Sequence, residues 1–214
     1  MLPAYANLVY CPYCGATKEL MQLASGNTFE ARYWSDNKRI APMLPEVSPV
    51  QKCPHCGKYY LEYKQKQSEA DHYSSEKGEL SFPEWKEAYH QFLGETESTD
   101  RHIRITEENL VDLRFWLVQA YNDYYHRNCE ASPSPEDYAF IQGIIKDFIN
   151  TFDWSSIDNP LLKAEFYREA DMMHECAKVL LSINYEQLQD YEKNIYNAIK
   201  SRMERGDKDV FEIK

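Results

Sequence analysis

Two short stretches, Cys11-Pro-Tyr-Cys14-Gly15 and Cys53-Pro-His-Cys56-Gly57, repeat one design and constrain this chain more than anything else in it. Each puts two thiols on a tight turn. The Gly after the second Cys permits the positive backbone dihedral that aims amide N–H groups at sulfur. One C-x-x-C carries little information. Two pairs with the same flanking Pro and Gly supply four soft ligands, which suit a tetrahedral metal site. The competing reading is a pair of disulfides or free thiols. A reducing compartment disfavours the first, and free core thiols have no reason to duplicate their flanks.

The chain has 214 residues, enough for one large domain or a small one beside a medium one. A hydrophobic content of 43%, with 14% aromatic, supports a packed core and argues against a disordered polymer. No apolar run approaches the ~20 residues that a membrane helix needs, and the first ten residues carry no basic region typical of a secretory signal. With four of the six cysteines given to metal, the expected location is cytoplasmic. The net charge of -11 is unevenly spread. Residues 1–65 carry seven Lys/Arg and five Asp/Glu, whereas residues 66–214 carry seventeen and thirty. Neither part offers the basic surface of a nucleic-acid binder, and the acidic part repels phosphate at long range.

The expected fold class is α+β: a small β-rich metal-binding module over residues 1–65, a polar linker over 66–80, an all-α domain of helical hairpins over 81–206, and a tail over 207–214. Between Cys14 and Cys53 lie 38 residues. There Thr28–Trp34 alternates as a strand, Ser35-Asp-Asn-Lys38 is turn-like, and Lys38–Leu44 returns as an edge strand. Tyr59–Tyr63 reads as the strand leaving the second knuckle. In the helical part, Thr106, Ser134 and Asn159 are N-caps, the last two followed by Pro at the first helical position. Further helices are expected over Met172–Ile183 and from Asn184 to a stop at Gly206, the last burying Tyr191, Ile195 and Ile199.

At the two knuckles the sequence resembles zinc ribbons and also rubredoxins, which hold one iron on the same doublet. Both resemblances imply Cys11, Cys14, Cys53 and Cys56 as ligands. The long insert and the helical part depart from a compact rubredoxin, so zinc is the implied ion and iron the lesser alternative. Leu162–Leu180 resembles one tetratricopeptide repeat, with Tyr167 packing across the helix pair, Cys176 at the small position and Leu180 at the large one. Asp171 stands where that family has a turn Gly, and no convincing 34-residue copies occur elsewhere. An ordinary helical hairpin accounts for the same residues. Taken together, the chain resembles bacterial proteins that join an N-terminal zinc ribbon to a tetratricopeptide-like domain, a family that carries no firm activity to transfer.

Other candidates for chemistry are weaker. His126 with Cys129, and His174 with Cys176, could form a second metal site or a Cys–His nucleophile, but buried Cys and helix-end His are common structural residues. Asp123 and Glu130 read as solvated or capping acids. His55 lies at a non-ligand position of its knuckle. No Gly-rich phosphate loop, His-Glu-x-x-His or Gly-x-Ser-x-Gly is present. Aromatic residues around basic ones, namely Tyr33 and Trp34 with Arg32, Lys38 and Arg39, make a candidate partner-binding surface, for a protein or for nucleic-acid bases. The favoured alternative is that the module's aromatics, Tyr33, Trp34, Tyr59, Tyr60 and Tyr63, too many for it to bury alone, pack against the helical domain. The functional expectation is a non-enzymatic zinc protein that binds a protein partner. The alternatives are a nucleic-acid or transcription-associated binder and an iron redox protein.

Overall fold

The structure, a computed structural model, describes residues 1–127 and 133–213. The protein is α+β, with a β-rich N-terminal region that carries the cysteines and six α-helices following among the described residues. Two compact units divide it. The first comprises residues 1–31 and 40–110; the second comprises 32–39 and 111–214.

In the first unit β1 (Leu2–Tyr10) and β2 (Thr17–Ser25) form an antiparallel hairpin, with Tyr10 opposite Thr17 and Val9 opposite Lys18. The first knuckle is the tip of this hairpin. β5 (Val50–Lys52) and β6 (Tyr59–Leu61) form a second hairpin, with Lys52 opposite Tyr59, and the second knuckle is its tip. Val9, Leu20 and Tyr60 are buried with Cys11 and Cys53 in one cluster between the hairpins.

The segment expected as a linker is structured. β7 (Gln67–Glu69) pairs with the outer side of β1, placing Asn7 opposite Glu69. Further on, the backbone N–H groups of Ala6, Met21 and Ser48 donate to the carbonyls of His72, Glu76 and Lys77. Polar side chains hid this order, because main-chain hydrogen bonds hold the segment. α1 (Phe82–Leu93) also belongs to this unit. It buries Phe82, Trp85, Ala88, Tyr89 and Phe92, behind a capping box made by Ser81 and Glu84.

In the second unit β3 (Arg32–Trp34) turns back at Asp36 and Asn37 toward β4 (Arg39–Ile40). Asn37 takes the left-handed conformation (φ 66°) that the turn requires. On its other side β3 pairs with β8 (Glu212–Ile213), so the tail supplies a strand. α2 (Glu107–His126), α3 (Pro135–Thr151), α4 (Pro160–Glu169), α5 (Met173–Ser182) and α6 (Asp190–Glu204) follow, with the break between the units inside α2. The predicted caps form: Thr106, Ser134 and Asn159 accept from the N–H groups of Asn109, Asp137 and Leu162 at 3.2, 3.0 and 3.0 Å.

α4 and α5 form a hairpin across Ala170–Met172, and Asp171 has φ 60° at the tight turn. Cys176, Leu180 and Ile199 form their shared core with α6, and Tyr167 packs at its edge. The last helix starts later than expected. Tyr185–Gln187 is one 3₁₀ turn, and Gln189 with Glu192 caps α6. Tyr191, expected to be buried, is exposed.

Gly78 tests how tightly the supposed linker is bound. It has φ +65°, and a Cβ there would meet the buried amide of Gln51 at 1.9 Å. Gly78→Ala is expected to destabilise the protein by about 2 kcal/mol or more. Chemical denaturation checks this; an unchanged midpoint would show the loop to be unattached.

Candidate metal centre

The four knuckle sulfurs converge. All lie within 4.8 Å of one another. Cys11 Sγ is 3.7 Å from Cys56 Sγ, and Cys14 Sγ is 3.6 Å from Cys53 Sγ. A zinc ion with sulfur ligands at about 2.3 Å demands a tetrahedron edge of about 3.8 Å, so the separations fit.

The two knuckles are built alike. Gly15 N–H donates to the Cys11 carbonyl at 2.9 Å, and Gly57 N–H donates to the Cys53 carbonyl at 3.0 Å. Cys11 and Cys53 N–H groups donate to Ala16 and Lys58 at 2.9 and 2.8 Å. Both glycines have φ 74°, a value that costs a residue with Cβ but not Gly. Cys11 and Cys53 face the core, whereas Cys14 and Cys56 reach solvent. His55 is exposed and lies outside the group, as expected.

The thiols are not alike electrostatically. Burial pushes Cys11 up to about 12, against opposing N–H donors on Tyr13 and Cys14. Burial also opposes ionisation of Cys53, but the N–H groups of Cys56 and His55 and the neighbouring thiols outweigh it and bring it down to about 7. A bound divalent cation deprotonates such thiols outright, and four thiolates close its coordination shell.

α1 fixes the surroundings of the site. Gln91 accepts from Tyr59 N–H at 3.0 Å and donates to the Tyr59 carbonyl at 2.8 Å, joining α1 to the strand that leaves the second knuckle. The Tyr13 hydroxyl, inside the first knuckle, donates to Glu95 at 2.7 Å and accepts from Gln91 at 3.0 Å. Neither carried a sequence signal: Gln91 lies on the polar side of the amphipathic α1, and Glu95 lies in the turn just past its Gly94 C-cap.

The other predicted residues separate. The aromatics are largely internal: Tyr59 and Tyr60 are buried, and Tyr63, partly exposed, accepts a hydrogen bond from Asn109 at 3.0 Å. Trp34, a candidate surface ring, is instead packed: it is only 6% exposed and meets the His126 ring at a tilt of 59° with centroids 4.7 Å apart. Tyr33 is exposed on the same strand. Arg32 pairs with Glu212 at 2.8 Å and lies over the Trp34 ring, while Lys38 closes the turn through its N–H to Asp36. Arg39 is half-buried. The hairpin thus binds the chain's own tail and α2. Cys129 and Glu130 lie outside the described residues. His174 is exposed while Cys176 is fully buried, and burial pushes that thiol up to about 12, the state of an inert core residue.

His126 proves to be a buried ionic centre that its sequence position did not reveal. Its Nδ1 lies 3.0 Å from Asp123 Oδ1, and Nε2 lies 3.0 Å from Asp36 Oδ2, off the line of a straight hydrogen bond. Burial disfavours the imidazolium, yet Asp123 and Asp36 outweigh it and raise its pKa. No protein-family model matches the chain, and comparisons with curated proteins and with solved structures found no match.

A raised folded-state pKa means that the imidazolium stabilises fully below the unfolded value of about 6.5 and ceases to do so as pH climbs through the folded value. The stability advantage of the natural protein over His126→Gln should therefore be fullest below about pH 6.5 and shrink as pH rises above it, by denaturant melts. A constant or growing advantage would contradict the pairing.

Proposed function

We propose that Cys11, Cys14, Cys53 and Cys56 hold one zinc ion as a structural crosslink, in a non-enzymatic protein that serves as an adaptor for a protein partner. The carrying observation is the matched pair of knuckles, whose sulfurs lie at tetrahedral separations. Four protein thiolates leave the ion no open position for water, which favours a structural over a catalytic role. The module resembles a zinc ribbon because each knuckle caps its own antiparallel hairpin.

The partner is read from the second unit. Its helices expose Leu181 and Tyr191, in the strongly acidic part of the chain, which suits a basic or amphipathic segment. The nucleic-acid reading loses support because Trp34, its main stacking ring, is internal. Rubredoxin-like iron remains the alternative occupant, since the same sulfur set suits it.

Metal analysis of the purified protein should find zinc at one ion per chain in a colourless sample. Cys53→Ser and Cys56→Ser should each lose most of that zinc, whereas Cys176→Ala keeps it. A strong chelator should abolish the near-ultraviolet circular dichroism of the first unit before that of the second. A red, iron-loaded protein would transfer the site to redox chemistry, and a metal-free protein with intact tertiary signal would overturn the structural role. A gel-shift at low salt should show no nucleic-acid complex.

A further inference from the structure

A small cavity lies inside the second unit, lined among the described residues chiefly by Tyr121, Asn122, Tyr125, Tyr138, Gln142 and Glu169, with Lys208 and Asp209 beside them. It has room for about one or two water-sized groups. Two buried oxygens on its wall lack a partner: Glu169 Oε1, on a side chain only 3% exposed, and the Tyr138 hydroxyl. Orphaned buried oxygens cost free energy unless something donates to them.

The donors on the wall are largely committed elsewhere. Asn122 spends its amide hydrogens on Asp36 Oδ2 at 2.9 Å and Glu169 Oε2 at 3.0 Å. Gln142 donates to the Glu169 carbonyl at 2.6 Å. Once Glu169 is ionised, its Oε1 is an acceptor on the wall beside the amide oxygens and among tyrosine rings; the Asp209 carboxylate is already engaged by the Tyr125 hydroxyl, and the Lys208 ammonium lies beside Tyr138 at the rim. Such a wall asks for a guest that only donates and carries positive charge. The rim already holds one ammonium in this way: Lys208 Nζ lies 5.0 Å from the Tyr138 ring centroid and 3.3 Å from Asp171.

We propose that this cavity binds a primary ammonium group, either free ammonium or the end of a short alkylamine, through Glu169 and the Tyr138 hydroxyl. An ammonium offers more donors than water and balances the acids. Without a guest, burial foremost, with the charges of Glu165 and Asp36, holds the Glu169 carboxyl protonated well above its usual range, against the opposing pull of Arg168 and Asn122. A cation seated beside it reverses that balance, and the carboxyl gives up its proton to solvent. The occupied cavity is then a neutral ammonium–carboxylate pair.

The test is a titration of the full-length protein with ammonium chloride, methylammonium chloride and sodium chloride at constant ionic strength, read from the side-chain amide resonances of Asn122 and Gln142. Ammonium should produce saturable shifts and sodium none. Methylammonium separates the sources: its binding assigns the site to alkylamine ends, and its failure beside ammonium's success assigns it to the free ion. Glu169→Gln, which keeps shape and hydrogen bonding, and Tyr138→Phe should each weaken binding at least tenfold. Non-saturating shifts, equal shifts with sodium, or undiminished binding in both variants would overturn the proposal and leave the cavity to water.

Discussion

Four sulfurs drawn to one point are the constraint on which the first unit depends. Cys11 meets Cys56 and Cys14 meets Cys53 across the two knuckles, and all four sulfurs lie within 4.8 Å of one another. Two thiolates about 4 Å apart repel by about 4 kcal/mol at an effective dielectric constant of about 20, and four multiply the problem. Protonated thiols avoid the repulsion but make only weak hydrogen bonds. A divalent cation at this point would turn repulsion into attraction and link β1–β2 to β5–β6 at their tips. The buried cluster there contains only Val9, Leu20 and Tyr60 besides Cys11 and Cys53, a small core for a module of this kind.

Around that point the fold adds rigidity from its polar groups. Gln91 of α1 satisfies both main-chain groups of Tyr59 and donates to the Tyr13 hydroxyl, which in turn reaches Glu95 just past the helix, so hydrogen bonds as well as apolar contact orient both knuckles. β7 and the loop around Gly78 cover the outer surfaces through the main chain. The second unit uses another device. The buried His126 ring between Asp36 and Asp123, whose carboxylates favour its protonated form, joins the β3–β4 turn to α2, and Arg168 joins α4 to the carbonyls of the tail. Buried charges of this kind are costly unless fully partnered, which is why the tail and hairpin close on them.

What the sequence made legible was local. The knuckles announce themselves because Gly15 and Gly57 must take positive φ next to a ligand, and no other residue does so without strain. Thr106, Ser134 and Asn159 were readable because a cap acts within three residues. The Asn37 turn was readable for the same reason. Partnerships across the chain were not. That β3 would take β8 as its neighbour, 180 residues away between Arg32 and Glu212, leaves no mark on periodicity. That Trp34 packs on a helix could be expected, but that the covering residue is His126 could not be read from the sequence. Order in residues 66–80 was invisible because main-chain groups make it. His126 was readable only as a helix-end histidine; its significance comes from Asp36, ninety positions earlier.

X-ray absorption at the zinc edge of the purified protein addresses the central claim most directly, because it counts the atoms around the ion. The account predicts four sulfur neighbours at about 2.3 Å and no nitrogen or oxygen in the first shell. A shell containing oxygen, or one with only two sulfurs, would mean that the two knuckles do not share an ion.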